Sequence, residues 1–381
     1  MNQIDQYVDK LAKGTISRRG IMKQIMTVCG PIDADALGVT SMHDHVLADL
    51  GFFCNTPPEG GKLLNRPVGP RMEDLSLIRN GAYGYMAENW NLTDPAYMER
   101  EVAFFKEKGG GAILDPSAPG IRSNLTKLKG IAEHTGVAII ASTGLYREET
   151  WPEDVDVSDQ AQLTERFLDE INTGIDDTDI KAGHIKTAVA NGSEREFNVL
   201  PAAAAASIES GLTVTAHTSF ATRQDEREQM LADFLKAGID PERLIFCHVQ
   251  NTFLRPEAHA FPQSLDLGTI SLDWAQKILD AGATVCVDMF GMPQDNEQLH
   301  SFGRADAIKV AGLLKLIKLG YEKQLVVGCD IYQKIQTQGW GGHGYSRILD
   351  YLKPALLKYE AGEEAVDNIL IYNPRRLLEF S

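Results

Sequence analysis

The chain reads as an α/β protein, a closed (β/α)8 TIM barrel with an N-terminal helical and hairpin extension, and three observations lead there. Eight short apolar runs alternate with segments of helical spacing along 381 residues. Most of the runs are chiefly apolar, as strands buried on both faces of a parallel sheet are, and eight such units suit a closed barrel. No Gly-rich G-x-G-x-x-G turn follows the first run, so the competing doubly wound sheet lacks its dinucleotide-binding signature.

In order, Asp5 to Met26 has the spacing of a helix outside the barrel, making residues 1–26 an extension and 27–381 the barrel. Thr27 to Gly38 carries Gly, Pro and Asp as a small hairpin or turn would. The first barrel strand is expected over Gly38–His45. Residues 51–80, with Asn55-Thr56-Pro57-Pro58 and Arg66-Pro67-Val68-Gly69-Pro70, form a long irregular insertion placed to wrap over the carboxyl end of that strand. Later strands are expected at Ala112–Asp115, Val137–Thr143, Ala182–Thr187, Leu212–His217, Leu244–His248, Ala283–Asp288 and Gln324–Asp330. Helices are expected at Tyr97–Lys108, Asn124–Thr135, Leu163–Asn172, about 200–209, Glu226–Ala237, Leu272–Ala281 and Arg304–Gly320.

Composition narrows the partners. With 53 acidic and 37 basic side chains the formal charge is −16, the wrong sign for a phosphate backbone, so no nucleic-acid partner is expected. No run of about 18 apolar residues exists, so no membrane partner is expected either. Five cysteines without C-x-x-C pairing fit a reducing cytoplasm. Arg18-Arg19 echoes a twin-arginine export signal, but the apolar stretch after it stops at Cys29-Gly30-Pro31, which favours a basic lead-in helix.

Candidate chemistry sits where the strands stop, because barrel sites form at the carboxyl ends. His43 and His45 share one face of the first strand by its two-residue period. Lys186 closes the fourth, His217 the fifth, His248 the sixth and Asp330 the eighth. A single histidine in such a place is more often a satisfied core residue, but four with an aspartate on one rim are a metal-binding set. The remaining histidines, His134, His184, His259, His300 and His343, fall on helices, loops or the opposite phase of a strand and read as structural or as supports behind the ligands. Lys186 is the oddity, since an ammonium among ligands repels a cation. Either it is a reactive amine without metal, as in a Schiff-base lyase, or its charge is removed by carboxylation to a carbamate.

These residues carry a resemblance. Thr27-Val28-Cys29-Gly30-Pro31-Ile32, Gly38-Val39-Thr40-Ser41-Met42-His43-Asp44-His45, Gly109-Gly110-Gly111, Ser142-Thr143-Gly144-Leu145-Tyr146, Thr215-Ala216-His217, Cys247-His248, Gly328-Cys329-Asp330 and Asn373-Pro374, as an ordered set, resemble the phosphotriesterase-like family of the amidohydrolase superfamily. The resemblance runs from about Thr27 to Leu378. It implies a binuclear metal-dependent hydrolase with His43, His45 and Asp330 on the more buried ion, His217 and His248 on the other, and carboxylated Lys186 bridging. It also implies Asp330 as proton acceptor, Tyr146 beside the substrate, and a homodimer. Zinc is the expected metal for such donors, with manganese or cobalt able to take the same shell.

Departures narrow the substrate. Met289 stands where organophosphate-cleaving members carry a histidine and lactonases often an arginine, and His248-Val249-Gln250-Asn251 lacks the acidic pair that helps carry protons outward in phosphotriesterases. The expected reaction is therefore hydrolysis of a lactone or carboxylic ester of a small molecule, with an amide or phosphoester as alternative. The loop Gln338–Tyr345 and the 51–80 insertion are expected to shape the leaving-group pocket. A non-catalytic ligand-binding barrel is the rival outside enzymology.

Overall fold

The computed structural model describes residues 23–54, 72, 75, 78, 86–219, 221–253, 270–292 and 305–380. A hairpin opens it, β1 (Gln24–Thr27) paired antiparallel with β2 (Gly30–Asp33). Eight parallel strands follow, β3 (Val39–Ser41), β4 (Gly110–Asp115), β5 (Ala138–Gly144), β6 (His184–Val189), β7 (Val214–Thr218), β8 (Leu244–Phe246), β9 (Thr284–Val287) and β10 (Leu325–Val327), each paired with the next. The ladder closes on itself where Met42 donates to the Val327 carbonyl at 2.8 Å and Asp330 donates to the His43 carbonyl at 2.8 Å. The barrel and its alternating helices are thus as the sequence implies.

Period-two alternation sorts the strand residues into two cores. Ala112 and Leu114 of β4, Ile140 of β5, Ile245 of β8 and Val326 of β10 face inward, with Ile25 of the hairpin and Leu377 and Leu378 of the C-terminus beneath them. Ile113, Ile139, Ile185 and Val214 face outward against the helices. The apolar plug closes one end of the barrel, and the strands' carboxyl ends stay available for polar side chains. Helix ends are set locally: Asp94, Asn124, Asp159 and Ser193 cap the helices Pro95–Glu107, Leu125–Thr135, Gln160–Asn172 and Glu194–Ser210. Among the described residues no helix is long and apolar enough to cross a membrane.

Two expectations need correction. The helix assigned to Asp5–Met26 lies mostly outside the described residues, and its last three residues, Gln24–Met26, are strand instead. Its helical spacing loses to pairing with β2 and with Phe380, to which Gln24 is bridged. The strands assigned to Gly38–His45, Leu244–His248 and Gln324–Asp330 stop earlier, at Ser41, Phe246 and Val327. Beyond those points the chain bends: His248 and Asp330 adopt left-handed backbone with φ of 61° and 49°, which an apolar run cannot reveal. Most of the 51–80 insertion, His259, His300 and the start of the last expected helix lie outside the described residues.

Candidate metal centre

The bends that shorten the strands bring the polar ends together. Left-handed backbone in a non-glycine residue is costly and tends to mark functional sites, and here His248, Met289 and Asp330 adopt it at three successive strand ends. His43 Nε2 and His45 Nε2 lie 3.5 and 3.7 Å from Asp330 Oδ1, so three donors converge on one point and could hold one ion. Their other ring nitrogens are occupied: His43 Nδ1 meets Asp288 Oδ2 at 2.9 Å and His45 Nδ1 meets Ser117 Oγ at 2.8 Å. Partners at Nδ1 fix each ring with Nε2 turned inward, the usual way a metal-binding imidazole is held.

A second group stands beside the first. His248 Nε2 lies 2.9 Å from His217 Nδ1, and His248 Nδ1 is held by Asp288 Oδ1 at 2.7 Å. His217 Nε2 is buried and has no hydrogen-bond partner, a cost that ligation would remove. Burial holds His217 down at about 3, so it is neutral and ready to ligate. Burial and the nearby Lys186 push His43 the same way, but Asp330, Cys247 and Asp288 outweigh them and raise it to about 9. Burial raises the Asp330 carboxyl above its usual range against the pull of His43 and His248. Asp288 goes the other way: burial opposes its charge, but His248 and His43 hold it well below the usual carboxylate range.

Lys186 is 1% exposed, and among the described residues its amine meets only Cys247 Sγ, at 3.5 Å. A buried lysine without a carboxylate is expensive as an ammonium. Tyr146 is also buried, its ring centroid 5.0 Å from that of His217, and burial holds its phenol well above the usual range. All seven sequence-derived candidates therefore meet at one mouth of the barrel. A donor set of imidazoles and carboxylates, with inward nitrogens and one orphaned, suits divalent ions.

A family model described as the phosphotriesterase family matches residues 23–378. The chain belongs to the phosphotriesterase family. An N-acetyltaurine hydrolase of Xenopus tropicalis is 29% identical over 94% of this chain and 98% of its own. A phosphotriesterase-related protein of Nematostella vectensis is 30% identical over 93% and 98%. A resiniferatoxin-binding protein of Rhodobacter sphaeroides superposes with a TM-score of 0.79 at 26% identity, covering 93% of this chain and 94% of that one. The chain is thus a hydrolase of this family on a TIM barrel.

Within the phosphotriesterase fold, Asp288 is the residue sequence reasoning passed over. It ends the seventh strand, whose run carried no expected ligand, and a polar residue at a strand end without an assigned task was the available signal. Gln250 was noted only as a missing acid. Its amide donates to Asp288 Oδ1 at 2.7 Å and its carbonyl accepts the Asp288 N–H at 3.1 Å. Two of the other histidines have partners away from the ligand set: His184 spends its nitrogens on Ser142 and Thr215 at 2.9 and 2.8 Å, and His134 meets Glu99 on the surface. The Gln338–Tyr345 loop is tied down by Glu101, which accepts from the Gln338 and Gly339 N–H groups, and by the Tyr345 hydroxyl, which donates to the His45 carbonyl.

Proposed function

We propose that this chain is a binuclear metal-dependent hydrolase acting on the carboxyl carbon of a lactone or carboxylic ester. His43, His45 and Asp330 would hold one ion, His217 and His248 the other, and a carbamate on Lys186 would bridge them, with zinc the best-suited metal. In that set, divalent ions would supply Lewis acidity at the carbonyl and acidify a water toward neutral pH. The observation that carries the reading is the convergence of His43, His45 and Asp330 donors within 4.8 Å of one another at the strand ends.

The chain's own residues do the rest. Asp330, its carboxyl raised by burial, accepts the proton of the attacking water and returns it to the leaving alkoxide. Asp288 stays charged and keeps the His43 and His248 rings in one orientation. Tyr146 stays neutral, and its hydroxyl can donate to a substrate oxygen beside His217. Met289, only 4% exposed, offers neither the imidazole nor the guanidinium of the organophosphate and lactone specialists. The missing imidazole weighs against phosphotriesters.

A second reading, an N-acyl amide, has a specific support: the relatives named N-acetyltaurine hydrolase align over 98% of their length. One panel separates the two. Protein loaded with zinc is assayed against phenyl acetate, a δ-lactone, N-acetyltaurine and a diaryl phosphotriester. The ester or lactone should turn over fastest, and Asp330→Asn should abolish it. Faster N-acetyltaurine hydrolysis would establish the second reading in its place, and no turnover of any member would overturn both.

A further inference from the structure

We propose that Cys247 is itself a metal ligand, a thiolate donor to the divalent ion assigned to His217 and His248. The inference rests on the hydrolase reading for the presence of that ion, and on nothing about its reaction.

The sulfur is built into the site. Cys247 follows β8 directly, is fully buried, and donates its N–H to the Ala216 carbonyl of β7 at 3.1 Å, which continues the ladder one residue beyond the strand. Its side chain therefore keeps the inward phase of Ile245, and both belong to the interior cluster. From that floor the sulfur faces the ligands. Sγ lies 3.5 Å from Lys186 Nζ, donates to the Ala216 carbonyl at 3.5 Å, and offers a donor atom within 4.8 Å of those of His43, His248 and Asp288. The orphaned Nε2 belongs to His217, whose Nδ1 lies 2.9 Å from His248 Nε2. A thiol used only for packing sits among apolar atoms. This one has apolar neighbours on one flank and an amine, two imidazoles and a carboxylate on the other.

The chemistry follows from the donor. A cysteine ligates as thiolate, so the S–H bond breaks, its proton passes to solvent, and the freed electron pair forms the bond to the ion. Sulfur is a soft donor that favours zinc over manganese, where imidazole and carboxylate alone discriminate less.

Cobalt reports this directly, because a thiolate–cobalt bond absorbs strongly in the near ultraviolet and nitrogen or oxygen ligands do not. Metal-free protein is titrated with two equivalents of Co²⁺, as wild type, Cys247→Ser and Cys247→Ala. The wild type should show the charge-transfer band, and both variants should lose it while keeping the visible ligand-field bands. The preference for zinc over manganese should shrink in the variants by roughly 10–100-fold, the range that loss of even an outer partner costs. A wild-type protein that holds cobalt without the band overturns the proposal, as does an unchanged band in Cys247→Ser. Where a variant fails to fold, the wild-type spectrum alone decides. The readout needs no substrate: a cobalt–sulfur band with no turnover across the panel defeats the hydrolase reading and leaves this one, and turnover without the band does the reverse.

Discussion

Asp288 ties the two halves of the site to a single carboxylate. One oxygen accepts from His43 and the other from His248 and the Gln250 amide, at 2.9, 2.7 and 2.7 Å. Removing it frees one imidazole from each proposed ion at once. Asp288→Ala should therefore lower the affinity for both ions, each by about 10–100-fold, while the far-ultraviolet spectrum stays that of the wild type. Metal content per chain after dialysis against a graded chelator checks this. Loss of a single ion would show that the rings are held independently of one another. The same carboxylate shows why residue-level reading stops short in the sequence. Ligands announce themselves by type and position, as His43, His45, His217, His248 and Asp330 do, whereas a residue that orients ligands is defined by contacts between β8 and β9 that no spacing along one strand encodes.

Among the elements, β5 and β6 show how closely the backbone is fitted to the site. Gly144 ends β5 with φ of +106°, and a Cβ there would overlap the Lys186 carbonyl on β6. That carbonyl already accepts the Leu145 N–H at 2.9 Å, so it has nowhere to go. Gly144→Ala should push the lysine out of register and destabilise the fold by more than the roughly 1 kcal/mol that a glycine-to-alanine change gains where the backbone suits it. Activity should fall further than stability. Thermal unfolding and turnover measured together test this, and a variant that is destabilised but fully active would show that Lys186 tolerates the shift. The rhythm of strand and helix was legible because burial on two faces leaves continuous apolar runs, such as Ala112–Leu114 and Val285–Val287. What was not legible is where those runs stop pairing. Residues beyond Phe246 and Val327 still read as strand, but their backbone turns left-handed at His248 and Asp330, and that turn aims the ligands. The hairpin was misjudged at Gln24–Met26 for a related reason: its partners, β2 and Phe380, come from the two ends of the barrel chain.

For the whole molecule, the place where the barrel closes is also the place where the first proposed ion would sit. Between β3 and β10 the junction is made by Asp44, which accepts from the Ile331 N–H at 2.8 Å, the Cys329 N–H at 3.4 Å and the Ser41 hydroxyl. His43 and His45 flank it on one side and Asp330 on the other, so closing the barrel and assembling the donors are one event. Burial raises the Asp44 carboxyl most, the Ser41 and Ile331 hydrogen bonds pull it back, and the balance leaves it at about 7, well above the ordinary range of a carboxyl group. A carboxyl raised on folding binds its proton more tightly folded than unfolded. Its stabilising contribution is complete below the unfolded value and is lost as pH rises through the folded one. The metal-free protein should thus lose stability between about pH 4 and about pH 7 through this group. Asp44→Asn, which cannot titrate, should narrow the difference in unfolding temperature between about pH 5 and about pH 8, whatever its absolute cost in hydrogen bonds. An equal difference in variant and wild type would place the pH response elsewhere and leave the junction as a structural closure alone.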